Sequence, residues 1–341
     1  MTSTPIKDKA LVEPATTTPI LKVEGLSVSF RTEDGRLSAV DQVDLQVADG
    51  EVLAVVGESG CGKSVTAMSL AGLLPRSATV EGSVQLDGVE LIGADKRTLR
   101  SIRGREIAYI FQEPMTSLNP VFTVGYQIGE VLRVHNGLSR SAARKRSVEL
   151  LKLVGIPSAE RRVDDYPHQL SGGMRQRVMI AMAVACDPKV LIADEPTTAL
   201  DVTIQAGILD VLRSLRERLG TSIVLITHDL GVVADVADRV AVMYAGRVVE
   251  TAGVDELFAR PQHPYTVGLL GASPAAGRHA GTHRLNEIPG LVPVLASQPD
   301  ACTFADRCTR ALDTCTAKQP RLTLGTHQVA CWNPVREQVK V

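Results

Sequence analysis

Apolar residues in this chain gather into short unbroken runs. Val52-Leu53-Ala54-Val55-Val56, Val190-Leu191-Ile192-Ala193 and Ile223-Val224-Leu225-Ile226, with a further run near residue 242, have strand length and no polar alternation. Strands buried on both faces of a parallel sheet read this way. Between them, Val65 to Leu74, Val202 to Leu219 and Leu230 to Asp238 carry helical periodicity, so the pattern predicts an α/β unit with a mostly parallel sheet. Two regions depart from that rhythm. Leu21 to about Ser59 is β-rich, with Val40, Val43, Leu45 and Val47 on one side and a turn at Asp49-Gly50, and Gly82 to Leu91 reads as strand and turn again; both predict an antiparallel part. From about 113 to 186 the texture is helical, at Val124 to His135, Ser139 to Val154 and Gly172 to Cys186, which predicts an inserted helical subdomain.

The junctions between these elements carry the chemistry. Gly57-Glu58-Ser59-Gly60-Cys61-Gly62-Lys63-Ser64 lies between an apolar run and a helix beginning near Val65, the strand, glycine loop and helix order of a P-loop. Glycines let successive backbone N–H groups turn inward onto phosphate oxygens, and a helix N-terminus adds partial positive charge. Lys63 is placed to neutralise the β- and γ-phosphates of ATP, and the Ser64 hydroxyl to take one position on Mg²⁺. A second anion-reading loop, Ser171-Gly172-Gly173, heads a helix within Leu170 to Gln176. Two such loops far apart in one chain imply a shared site.

The run ending at Asp194-Glu195 delivers two carboxylates to a strand's C-terminal edge. Asp194 is suited to hold Mg²⁺ through water, and Glu195 to orient or deprotonate an attacking water. Gln112, after Ile110-Phe111, is a neutral group able to sense the metal or the water, and His228, after an apolar strand, can donate to a γ-phosphate. Cys61, beside a helix N-terminus, is expected to have a lowered pKa and to be alkylated unless nucleotide protects it.

At 341 residues the chain has room for one large domain and an appendage. Its 44% hydrophobic content supports a core, and a net charge of -1 gives no pull toward nucleic acid. No run of about 18 apolar residues occurs, and residues 1–20 read as a polar, disordered lead-in without a signal core. A cytoplasmic protein working on membranes through partners is expected.

Taken together, these motifs resemble the nucleotide-binding subunit of an ABC transporter, in the family's order over residues 20 to 255. The resemblance identifies Gly57 to Ser64 as Walker A, Gln112 as the Q-loop glutamine and Leu170 to Gln176 as the signature, with Gln176 among the nucleotide contacts. Asp194 then closes Walker B, Glu195 is its catalytic glutamate, Ala199-Leu200-Asp201 is the D-loop and His228 the H-loop. Phe30 matches the aromatic adenine platform, or is a strand core residue. The resemblance also implies two such domains packed head to tail around two ATP molecules, the second being a paralogue or a copy.

Phe111 to Pro120 and His263-Pro264-Tyr265-Thr266 are similar to the oligopeptide/dipeptide permease ATPases, a group that includes nickel importers. Tyr166-Pro167-His168-Gln169 is importer-like. The resemblance implies an ABC domain at 21–259, an oligopeptide-permease-type extension at 260–341, two transmembrane permease subunits, an extracytoplasmic substrate-binding protein, and a peripheral place on the cytoplasmic face of the membrane. The rival reading is a soluble ABC-type ATPase acting on DNA or ribosomes.

Four of the six cysteines, Cys302, Cys308, Cys315 and Cys331, lie in the tail with five, six and fifteen residues between them. That is looser than the paired spacing of zinc ribbons, and a reducing cytoplasm disfavours a disulfide. Scattered core thiols and a metal or cluster site stay open. The second is preferred, because four thiolates can clamp a small domain with little core of its own. Some members of the resembled group hold a [4Fe–4S] cluster at this motif, which by resemblance favours iron–sulfur over zinc.

Overall fold

The structure is a computed structural model that describes residues 18–33, 35–112, 117–198, 201–272 and 288–336. Its frame is a seven-stranded sheet in the order β11-β10-β9-β3-β8-β7-β6, with β11 at Gln328–Val329 and β10 at Arg247–Gly253 on one edge. The central strands are the apolar runs of the sequence, β3 (Val52–Val56), β7 (Val190–Asp194) and β8 (Ser222–Ile226), each buried along its whole length. With β6 (Ile107–Ile110) and β9 (Arg239–Tyr244) they pair in parallel. Successive residues of β3 serve opposite faces: Val52, Ala54 and Val56 join one apolar cluster, Leu53 and Val55 the other. Two cores therefore press on one sheet.

The second core lies under a smaller antiparallel sheet, ordered β2-β1-β4-β5, with β1 at Leu21–Thr32, β2 at Gly35–Val47, β4 at Ala78–Leu86 and β5 at Val89–Glu90. The helix after the glycine loop spans Lys63–Leu70, beginning earlier and ending earlier than its apolar pattern predicts. The helical region holds Val124–Asn136, Arg140–Leu153 and Gly172–Ala183, whose starts are capped by Thr123, Ser139 and Ser171 side chains. Each cap satisfies an amide that has no partner within its helix.

Among the elements not legible as period or run are the short helices Lys96–Ile102, capped by Asp95, Val254–Ala259 and Pro264–Ala272, and the strand β10 (Arg247–Gly253), antiparallel to β9.

Residues beyond 260 are stitched to this frame. β11 (Gln328–Val329) adds an edge strand to β10, pairing Val329 with Glu250, and Leu295 bridges Ser38 of β2. Tyr265, Leu270 and Phe304 lie in the same apolar cluster as the central sheet. Beneath them the fully buried Glu250 accepts hydrogen bonds from the Gln262 and His263 amides, at 2.6 and 2.8 Å, and pairs with His327 at 2.7 Å. The lead-in expected over residues 1–20 falls almost wholly outside the described residues.

Candidate nucleotide site

The glycine loop leaves β3 at Gly57, whose φ of 154° and close approach to the Met243 carbonyl leave no room for a side chain. The buried Lys63 ammonium is drawn back into the loop, donating to the carbonyls of Gly57 at 2.8 Å and Glu58 at 2.9 Å. Among the described residues no carboxylate forms an ion pair with it, so an incoming phosphate would meet a cation held by carbonyl dipoles.

Ser64, on the first helical turn, donates to Asp194 Oδ1 at 3.1 Å. Asp194 Oδ2 accepts from the Tyr109 hydroxyl at 2.8 Å. Burial pushes the Asp194 carboxyl up against the pull of these donors, and burial with the neighbouring carboxylate pushes the Tyr109 phenol up strongly. Sequence reasoning missed Tyr109; its one signal is a hydroxyl-bearing residue within the apolar strand β6.

One residue further on, Glu195 has a left-handed backbone, φ 47°, with its amide donating to Ile226 at 2.9 Å. For a residue with a Cβ this costs on the order of 1–3 kcal/mol. The turn aims the carboxylate at three groups. Gln112 Nε2 donates to Oε2 at 2.9 Å, Thr198 Oγ1 donates to the same oxygen at 2.8 Å, and His228 Nδ1 stands 3.3 Å from Oε1. Gln112, Glu195, His228 and the glycine loop follow β6, β7, β8 and β3, all neighbours or near-neighbours in the parallel sheet. Ligands of open α/β sheets bind outside such carboxyl edges.

The second loop divides. Ser171 caps its helix, accepting from Met174 N at 3.4 Å, and is exposed together with Gly172, which has open space where a Cβ would stand. Gly173 is buried, and a Cβ there would come 2.6 Å from Ile204 Cγ2. Gln176 is buried with its Nε2 unpartnered. Of the four residues expected at a nucleotide, Ser171 and Gly172 are exposed and Gly173 and Gln176 are buried in this single chain. The Gly172–Ala183 helix packs on β6, three strand spacings from β3, or about 14 Å across the sheet alone.

Asp201 is the exposed N-terminal cap residue of Val202–Leu219; Ala199 and Leu200 lie outside the described residues. Phe30 is half-buried in β1, opposite Leu37 and Ala78, and leans on the second core.

One expectation is corrected. Cys61 is fully buried, its Sγ 3.8 Å from Lys63 Nζ, and burial raises its pKa although Lys63 works to lower it. Desolvation outweighs the helix terminus, so this is a packed thiol rather than a reactive one. The tail thiols lie near enough to one another to bear on each other's ionisation. Burial, with neighbouring thiols adding, pushes Cys302, Cys308 and Cys331 up, the last to about 11. Among the described residues no group of three or more His, Cys, Asp or Glu side chains is arranged to hold a metal ion. The tail also has apolar support, since Phe304 and Tyr265 share the core of the main sheet.

Residues 40–198 match the family described as ABC transporter, and residues 249–315 match the oligopeptide/dipeptide transporter, C-terminal region. A Brucella abortus (strain 2308) protein named as a peptide import ATP-binding protein is 54% identical over 315 residues, covering 89% of this chain and 93% of its own. A peptide ABC transporter ATP-binding protein of Sinorhizobium fredii is 51% identical over 317 residues, covering 92% and 94%. Among solved structures, a dimeric ATP-binding cassette in a post-hydrolysis state bound to ADP and Pi superposes with TM-score 0.62 at 30% identity, covering 69% of this chain and 98% of that one. The cbiO1 protein from Clostridium perfringens, part of an ABC transporter complex, gives TM-score 0.60 at 33% identity, covering 70% and 90%.

Proposed function

Because the chain belongs to the ABC transporter family and carries that family's oligopeptide/dipeptide C-terminal region, we propose that it is the ATP-hydrolysing subunit of an importer that takes up peptides. The observation that carries this reading is the grouping of Gln112, Thr198 and His228 on Glu195, one residue beyond the Asp194–Ser64 pair at the glycine loop. The peptide cargo rests on the names of relatives that span nearly all of the chain.

In this reading Lys63 leaves the carbonyls of Gly57 and Glu58 for the β- and γ-phosphates, exchanging dipoles for full charges. The Ser64 hydroxyl and Asp194 carboxylate, hard oxygen donors 3.1 Å apart, fit Mg²⁺, with Gln112 nearby; the metal would supply charge neutralisation at the phosphates. Glu195 receives the proton of the attacking water, and the amide, hydroxyl and imidazole around it fix its direction. Phe30 stacks on the adenine. No step is routed through the tail cysteines.

The exposed Ser171 and Gly172 head a helix packed on β6, three strand spacings from the strand that carries their own glycine loop, and serve the nucleotide of a second ATPase subunit, while Asp201 lines the junction. ATP then closes two subunits on each other and hydrolysis releases them. The dimeric cassette bound to ADP and Pi supports this by likeness.

Among the described residues no helix is long and apolar enough to cross a membrane. Transport therefore needs two permease subunits and an extracytoplasmic binding protein, with this subunit on the cytoplasmic face. A groove of about 540 Å³ between β6 and the helical region, lined by Phe111, Val131, Met179 and Met182, suits a permease helix. Exposed Val121, Phe122 and Tyr126 lie on the same helical region.

The test is co-expression with transmembrane subunits of the oligopeptide/dipeptide permease type. ATP-dependent uptake of labelled di- or oligopeptide into vesicles is expected. Full ATPase activity with no permease association and no uptake would move the function to the soluble ATPases.

A further inference from the structure

Glu58 stands inside the glycine loop, yet every polar group it owns is committed within the chain. Its amide donates to the Tyr265 hydroxyl at 2.8 Å, and its carbonyl accepts from Lys63 at 2.9 Å. Its carboxylate is gripped by both terminal nitrogens of Arg307, at 2.8 and 3.0 Å. Glu58 has nothing left to offer a phosphate. Its carbonyl also accepts from the Cys61 amide at 3.3 Å, so it sets the loop's shape, and two of its four partners come from beyond residue 260.

Arg307 is itself held rigidly. Its Nε donates to the Pro289 carbonyl at 2.7 Å, Nη2 to the Ile288 carbonyl at 3.2 Å and Nη1 to the Tyr244 hydroxyl at 3.4 Å. The guanidinium lies over the rings of Tyr244 and Phe304 at 5.6 and 5.9 Å, and its side chain is 7% exposed. A bidentate guanidinium–carboxylate pair is stronger than a single neutral hydrogen bond, and the fixed fork of the well-covered arginine gives it direction, while Glu58 stays partly exposed. The same turn, Ala305–Arg307, sits between Cys302 and Cys308 and is closed by hydrogen bonds from Ala305 N to Cys302 O and from Cys308 N to Ala305 O.

We propose that Arg307 is a positioning residue for nucleotide binding: through Glu58 it holds the glycine loop in its phosphate-ready shape, making the C-terminal extension part of the ATP site. This rests on the ATPase reading above. It assigns the extension a defined task in that reaction, with the thiol-flanked turn as the point where a change in the extension reaches the loop. A loop that must be ordered by ligand binds more weakly than one already ordered.

The experiment uses the full chain and measures ATP KM, kcat and the affinity for a fluorescent ATP analogue, with circular dichroism and melting temperature for folding. Arg307→Ala is expected to weaken analogue binding and raise KM about tenfold, with kcat changed less than threefold. Arg307→Lys, which keeps the charge but loses the fork, falls between. Glu58→Gln should resemble Arg307→Ala, and the two changes together should cost no more than either alone. Unchanged KM and analogue affinity in folded Arg307→Ala and Arg307→Lys, or additive losses in the double variant, would overturn the proposal and leave the ATPase reading standing. Failure of the wild-type chain to bind the analogue at all would bring down both.

Discussion

Gln112 and His228 approach Glu195 from different oxygens, the amide at 2.9 Å on Oε2 and the imidazole at 3.3 Å from Oε1. Each follows a different strand of the parallel sheet, so the direction of the carboxylate depends on the register of β6, β7 and β8 together. Glu195→Gln keeps the shape and removes the base. Turnover should fall about 10²- to 10⁴-fold, the range for losing a general base, while ATP binding persists and an ATP-bound pair of subunits accumulates. Single-turnover kinetics and gel filtration with ATP read both effects; turnover near wild type would place the base elsewhere.

Tyr109 contributes a hydrogen bond to Asp194 Oδ2 that a phenylalanine cannot. Tyr109→Phe removes one of two donors orienting that carboxylate, and outer-partner losses of this kind cost about 10-fold or more in metal affinity. The Mg²⁺ concentration for half-maximal ATPase activity should rise about tenfold, with saturating-Mg²⁺ kcat nearly restored. An unchanged Mg²⁺ titration would make Tyr109 a packing residue only.

Gly173 meets Ile204 where the Gly172–Ala183 and Val202–Leu219 helices approach. Gly173→Ala should destabilise the chain by about 1–3 kcal/mol, the cost of overpacking, and Ile204→Ala in the same chain should recover part of it. Chemical denaturation of the three variants decides. If Gly173→Ala folds as well as wild type but loses activity, the glycine faces nucleotide after all.

His263 is buried beside Glu250, and burial pushes its pKa down to about 4 although Glu250 pulls the other way. An unfolded chain takes up this proton near pH 6.5 and the folded one near 4. Stability is therefore whole above about 6.5 and falls toward 4, by on the order of 3 kcal/mol. His327, raised by its bond to Glu250, has the opposite sense: its contribution is complete below the unfolded value and is lost as pH climbs through the folded one. Melting temperatures from pH 7.5 to 4.5 should drop less steeply in His263→Asn than in wild type; parallel curves would count against this assignment.

Much of the site was legible because its residues sit at ends of runs. Gly57, Gln112, Glu195 and His228 each follow an apolar strand, and parallel strands carry such ends to one edge of a sheet. The helical insertion was equally readable from its period. What escaped is what depends on distant partners. Tyr109 looked like any strand residue until β7 brought Asp194 beside it. Cys61 was misjudged since sequence shows the helix that follows a thiol but not the atoms that cover it. Gly173 and Gln176 belong to a motif whose exposed half alone faces outward, a division only packing reveals. The tail cysteines drew attention by their spacing, whereas Phe304 and Arg307, lying between them, make the contacts that hold the tail to the main sheet and loop.

Glu58 and Arg307 are separated by 249 positions. Synthesis proceeds from the N-terminus at about 5–20 residues per second, so for many seconds a growing chain owns a complete glycine-loop sequence without the arginine that shapes it. Fragments released early, or clipped before the tail, would on the proposal above carry the full motif yet hold ATP more weakly. The shape of the glycine loop is thereby settled among the last events of the chain's synthesis.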